Sequence, residues 1–222
     1  MGHRTHLILG ATGLVGRELL RQLLADEESA RVVAITRRPT GVRHEKLDER
    51  VLDLAEMDRH ADAFAVDDIF CALGTTIKTA GSQERFRFVD HDLPLQAARL
   101  GLAHGARHYL IVSSIGANAR SRIFYSRVKG QVEEDLRALC YPRLTIARPS
   151  LLVGDRDEFR LGERLFSHLG WLMPPAYKPI AARDVARALV ALSRDETSGA
   201  RIVESRELRR LARATERRGL GG

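Results

Sequence analysis

The sequence predicts a single α/β domain built on a doubly wound parallel sheet, and two observations predict it. An apolar run, His6-Leu7-Ile8-Leu9, leads directly into Gly10-Ala11-Thr12-Gly13-Leu14-Val15-Gly16, the spacing of a strand that turns sharply into a helix. Strand and helix signals then alternate almost to the end, with no repeat, low-complexity stretch or Pro/Ser-rich linker, so residues 1–222 read as one domain. Repeated βα units give a parallel sheet covered on both faces.

Strands are expected near 6–10, 31–36, 50–53, 67–73, 107–113, 143–148 and 201–204. Helices are expected over 14–25, 84–103, 122–139, 160–169, 183–193 and 206–218. Leu19, Leu20, Leu23 and Leu24 set the first helix by their spacing, and Val32-Val33-Ala34-Ile35 supplies the second strand. Phe86, Val89, Leu93, Ala97 and Leu100 make the apolar stripe of the long helix, which Pro94 should kink or restart. The long helices at 84–103 and 122–139 suit either packing within the chain or pairing in a homodimer. Residues 150–200 are expected to form the substrate-side rim. Within them the loop 170–179, with Trp171, Pro174, Pro175 and Pro179, reads as a ligand cover or as a plain surface connection.

Composition excludes several classes. The charge of +7 and pI near 10.0 invite nucleic acid, yet aromatics are 5% and no nucleic-acid-binding signature occurs. From Arg201 onward there are seven Arg and three Glu, so a basic C-terminal helix accounts for much of the excess. Cys71 and Cys140 lack metal-ligand spacing and fit a reducing cytosol, and no apolar run approaches the length of a membrane span. A soluble, cytoplasmic protein without bound metal is the expectation.

The glycine turn leaves backbone N–H groups uncovered at a helix N-terminus, where a pyrophosphate can rest. Gly10, Thr12, Gly13, Leu14, Val15 and Gly16 are therefore candidate cofactor residues. The second strand ends in Arg37-Arg38, where NAD-selective proteins carry a carboxylate for the ribose 2′-hydroxyl. Two guanidinium groups suit a 2′-phosphate, favouring NADP(H) over NAD(H), although a solvated pair is the plainer alternative. Asp53, followed by Leu54, either reaches an adenine amino group or caps a helix. Ala72-Leu73-Gly74-Thr75 ends the fourth strand with small and hydroxylated residues where ribose would pass.

The fifth strand ends in Ser113-Ser114, and Tyr125 and Lys129 follow one helical turn apart. An ammonium beside a phenol favours the phenolate, which makes Tyr125 a usable general acid/base. Either serine could hydrogen-bond the reacting oxygen, with a slight preference for Ser113. Lysine is scarce, only Lys46, Lys78, Lys129 and Lys178, so a retained lysine points to chemistry that arginine cannot supply.

These residues together, with Cys71-Ala72-Leu73-Gly74-Thr75-Thr76 and Arg148-Pro149, resemble the short-chain dehydrogenase/reductase superfamily. Within it the chain is similar to the small atypical branch that includes the human HIV-Tat-interacting protein and its bacterial relatives. Phe86-Arg87-Phe88-Val89-Asp90-His91-Asp92 and Lys129-Gly130-Gln131-Val132-Glu133 carry that placement, and the resemblance spans residues 6 to about 205. It implies a Rossmann fold binding NADP(H), with Tyr125, Lys129 and a serine of the Ser113-Ser114 pair as the catalytic set. It also implies that Lys129 holds ribose hydroxyls and that the stretch from Pro149 to Leu152 approaches the nicotinamide. Asp90 stands near where many larger members have Asn, and the chain beyond Pro149 is short for a sugar-nucleotide substrate.

The expected activity is reduction of a small carbonyl compound by NADPH, with Tyr125 giving the proton. The alternative is an NADPH-responsive interaction protein with little turnover, whose basic C-terminal helix serves a protein partner. Epimerisation through transient oxidation is a third, weaker reading.

Overall fold

β1 (Arg4–Leu9) shows why both faces of the sheet are covered: Leu7, Ile8 and Leu9 are all fully buried although successive side chains point opposite ways. Leu7 and Leu9 join one apolar core and Ile8 the other. The same split recurs in β2 (Ser29–Thr36), β4 (Asp68–Cys71) and β5 (His108–Val112), where Phe70 and Leu110 face one way and Ile69 and Ile111 the other. A computed structural model of the chain describes residues 3–154 and 178–219. The helix expected over 160–169 and most of the 170–179 loop lie outside them.

With β3 (Leu47–Val51), β6 (Arg143–Arg148) and β9 (Gly199–Glu204), these strands make a seven-stranded sheet. Its order is β3-β2-β1-β4-β5-β6-β9, and every pairing is parallel. One face is covered by α1 (Leu14–Leu24), α6 (Ala182–Ser193) and α7 (Ser205–Gly219). The other carries a 3-10 segment (Leu54–Phe64), α4 (Leu93–Ala103) and α5 (Phe124–Ala138). The apolar faces of α4 and α5 thus pack within the chain. A small pair, β7 (Leu152–Val153) with β8 (Ile180–Ala181), brackets the undescribed stretch.

Several boundaries differ from expectation. β3 begins at Leu47 because it is an edge strand whose Asp48, Glu49 and Arg50 remain half-exposed and give no apolar run. The single helix over 84–103 is instead α3 (Gln83–Arg87), a π turn (Phe88–Asp92) and α4. Pro94 explains the change: it cannot donate an amide to the Asp90 carbonyl, and its ring would crowd that carbonyl in an α turn. The chain widens there instead, with Leu93 N–H reaching back to the Phe88 carbonyl. Between β4 and α3 lies α2 (Ile77–Ala80), capped by Thr76.

Candidate active site

The sheet reverses its strand order between β1 and β4, so a crevice opens at the carboxyl ends of these two strands. Gly10 lies there with φ +85°, and a Cβ on it would stand 2.7 Å from the Ala72 carbonyl oxygen. Only glycine fits that approach. A Cβ on Gly16 would collide with the Gly10 carbonyl, so this glycine lets α1 close against the turn. Gly13 donates to the Gly10 carbonyl at 2.9 Å and starts α1 without any side-chain cap. The first amides of the helix are open to an anion, and no acidic side chain occupies its first turn.

The cleft runs from Gly10, Thr12 and Gly13 past Arg37, Asp53 and Leu54 to Ala72, Leu73 and Gly74. Thr12 and Gly13 are exposed and Leu14 half-buried, whereas Val15 is in the core and offers only its backbone. Arg37 and Arg38 are both exposed, and Arg37 lines the cleft. The Asp53 carboxylate accepts from Ala55 N–H at 3.0 Å, so it caps the 3-10 segment while facing the cleft. Arg85 also lines the cleft, its guanidinium 5.3 Å from the Phe88 ring centre. Sequence reasoning missed it because α3 brings it in from a distant part of the chain.

Below Gly74 the chemistry-bearing residues converge. A Cβ at Gly74 would be 3.5 Å from Asp90 Oδ1 and 3.9 Å from Lys129 Nζ. Lys129 is buried within α5, and its Nζ lies 2.8 Å from Asp90 Oδ1. Asp90 Oδ2 accepts the Thr75 amide at 2.9 Å. Burial works against the Lys129 ammonium, but Asp90, then Tyr125, hold its pKa above the ordinary range. Tyr125 sits one turn earlier, half-buried, its ring 5.5 Å from that of Phe86.

The two serines diverge. Ser113 is buried and donates to Glu133 Oε1 at 2.5 Å, and Glu133 in turn takes two bonds from Arg148, at 3.0 and 2.5 Å. Ser114 is half-buried and donates only to the neighbouring Ile115 carbonyl, at 3.0 Å. Pro149 is buried and its carbonyl accepts the Ile115 amide at 2.9 Å, while half-buried Leu152 opens β7. The role of Asp90 and the Glu133 tether carry no local sequence signal, since each partner comes from another element.

A family model described as NAD(P)H-binding matches residues 10–196. The rat protein HTATIP2 is 38% identical over 169 residues, covering 74% of this chain and 69% of that protein. FMP52 of Eremothecium gossypii is 33% identical over 214 residues, covering 91% and 94%. Among solved structures, an oxidoreductase of the short-chain dehydrogenase/reductase family from Burkholderia thailandensis matches with a TM-score of 0.71 at 22% identity, over 100% and 99% of the two chains. The expected cytoplasmic location is overturned, because the FMP52 relatives are named mitochondrial. Free Cys71 and Cys140 fit reducing conditions, which do not single out one compartment. No helix among the described residues is long and apolar enough to cross a membrane.

Proposed function

Because the chain belongs to the atypical short-chain dehydrogenase/reductases of the NAD(P)H-binding family, we propose that it is an NADP(H)-dependent reductase of small carbonyl compounds. The observation that carries this reading is the Tyr125–Lys129 pair on one face of α5, with the lysine under Gly74 at the floor of the glycine-lined cleft. The uncapped start of α1 and the close approach of Gly10 to Ala72 fit a dinucleotide diphosphate. The bound nicotinamide supplies hydride chemistry. Tyr125 gives a proton to the carbonyl oxygen, and Lys129 biases the phenol toward release. Ser114 is the better donor to that oxygen, because it is half-buried and its proton is held only by a 3.0 Å bond to the adjacent carbonyl, whereas buried Ser113 gives its proton to the Glu133 carboxylate at 2.5 Å.

Tyr125→Phe is expected to cut NADPH oxidation by roughly 100-fold or more against a panel of small aldehydes and ketones. Its NADPH affinity, followed by nucleotide fluorescence, should be kept. Retained turnover would remove Tyr125 from the mechanism. Preference for the phosphorylated cofactor rests on Arg37, with Arg38 beside it and Arg85 across the cleft. Replacing Arg37 and Arg38 by Ala should lower the NADPH-to-NADH affinity ratio by roughly tenfold. An unchanged ratio rejects the preference. A second reading, a cofactor-responsive interaction protein, draws on exposed Arg206, Arg210 and Arg213 along α7. Tight NADPH binding without oxidation of any carbonyl would favour it.

A further inference from the structure

Asp90 is 1% exposed and Lys129 4%, so the pair beneath Gly74 is a charge contact taken almost wholly out of water. Nζ approaches Asp90 Oδ1 to 2.8 Å, and both the opposite charge and the hydrogen bond of that carboxylate favour the ammonium. The groups facing this ammonium can be taken element by element. From α5 comes Tyr125, while Glu133, one turn beyond the lysine, is tied instead to Arg148 and Ser113. From β4 comes Cys71, whose thiol burial pushes up and keeps neutral. α3 places the apolar ring of Phe86 against Tyr125. In the π turn, His91 is turned toward Asp92 and Asp135, which leaves Asp90 as the counter-charge.

We infer that Asp90 is a positioning residue for the proposed reaction: its carboxylate keeps Lys129 charged inside the protein and holds that charge against the floor of the cleft at Gly74. The placement originates in Pro94, four residues on, which forces the π turn that carries Asp90. The Thr75 amide fixes the other carboxylate oxygen, so the segment leaving β4 and the lysine of α5 are set by one side chain. Without Asp90 the burial that opposes the ammonium stands uncompensated. Lysine would then shed its proton and lose its hold on the phenol.

The inference rests on the redox reading of the cleft, yet its test needs neither cofactor nor turnover. With 13Cε-labelled lysine the protein has four lysine positions to follow by NMR, and loss of one signal in Lys129→Met assigns Lys129. In the native chain Lys129 should remain protonated at a pH where the other three have titrated. In Asp90→Asn its midpoint should fall by roughly two pH units or more, and Asp90→Glu should restore most of the loss. A Lys129 that titrates with the other lysines in the native chain, or an unmoved midpoint in Asp90→Asn, overturns the assignment. Should Asp90→Asn not fold, Lys129→Met tests the same pair from the other side. Its stranded carboxylate, read by the 13Cγ shift of Asp90, should titrate well above the ordinary aspartate range, and an ordinary midpoint overturns the inference. If wild-type protein binds no NADPH while these titrations behave as expected, the reductase reading fails and the Asp90–Lys129 assignment stands.

Discussion

β4 touches a buried carboxylate at each end, and the two are used in opposite ways. At its amino end Asp68, fully buried, has Arg4 at 3.1 Å, His6 at 3.1 Å and Arg143 at 3.7 Å. Past its carboxyl end Asp90, also buried, meets the single ammonium of Lys129 and the Thr75 amide, under a glycine that borders a cleft. The first arrangement is closed: several elements converge on one anion that is fully buried. The second is open, with one cation and one directed hydrogen bond beneath a glycine that lines a cleft. A buried charge therefore marks a candidate site only where its partners leave it room to interact with something else. In open parallel sheets that room lies at the carboxyl ends of the strands.

The comparison breaks most readily at the closed end. Asp68→Asn keeps the shape but leaves Arg4 and Arg143 without their shared anion, which is expected to cost about 3 kcal/mol or more of unfolding free energy. Urea denaturation measures it, and NADPH affinity of the protein still folded should match the native value. A variant of native stability, or one that loses cofactor affinity while folded, would erase the division between the two ends.

At the open end, Gly10→Ala adds both left-handed strain and a contact at 2.7 Å with the Ala72 carbonyl. The expected loss is about 2 kcal/mol of stability together with weaker NADPH binding, since the displaced turn is the cleft wall. Gly41 is the control: its φ is +76°, but a Cβ there meets nothing within 4 Å. Gly41→Ala should carry only the strain, about 1 kcal/mol, and leave the cofactor affinity alone. Equal effects of the two substitutions on binding would remove Gly10 from the site.

The sequence made the open end far more legible than the closed one. Glycine spacing, a Tyr-Lys pair one turn apart and small residues ending β4 are local patterns, because a backbone that must approach a ligand tolerates few side chains. Doubly buried strands such as β1 and β5 were equally plain as short apolar runs. What escaped was set by tertiary contact. His6, Asp68, His108 and Arg143 come from four strands and look like interruptions of apolar runs until the register aligns them. In the sequence Asp90 stands out only as a departure from a family pattern, since its partner Lys129 lies on a distant helix. The slight preference for Ser113, replaced by Ser114 in the proposed mechanism, has the same origin: neighbours on a strand end look alike until Glu133 takes the proton of one of them.

The smallest expected effect is a pH dependence that belongs to the closed end alone. His108 is held neutral inside that cluster, its pKa driven from 6.5 down to about 3 by burial and then by Arg143 and Arg4. It stands 3.8 Å from Asp68 Oδ1, but a neutral ring makes that contact no ion pair; its Nε2 is engaged with Thr145 Oγ1 at 2.9 Å. The folded value lies below the unfolded one, so the unfolded chain takes up the proton first as pH falls. The contribution of the neutral ring is thus complete above pH 6.5 and is lost progressively as pH drops from there through about 3. Between pH 6.5 and 5.5 the loss attributable to this residue should be about 1 kcal/mol, within the limit of one proton per pH unit. His108→Gln, which keeps a polar group for Thr145 but cannot titrate, should flatten the acid slope of urea-denaturation stability by that amount. NADPH affinity should show the same pH dependence in both proteins. A slope unchanged by the substitution would mean that the imidazole takes up its proton as readily in the folded chain as in the unfolded one, and the closed cluster would then be permeable to water.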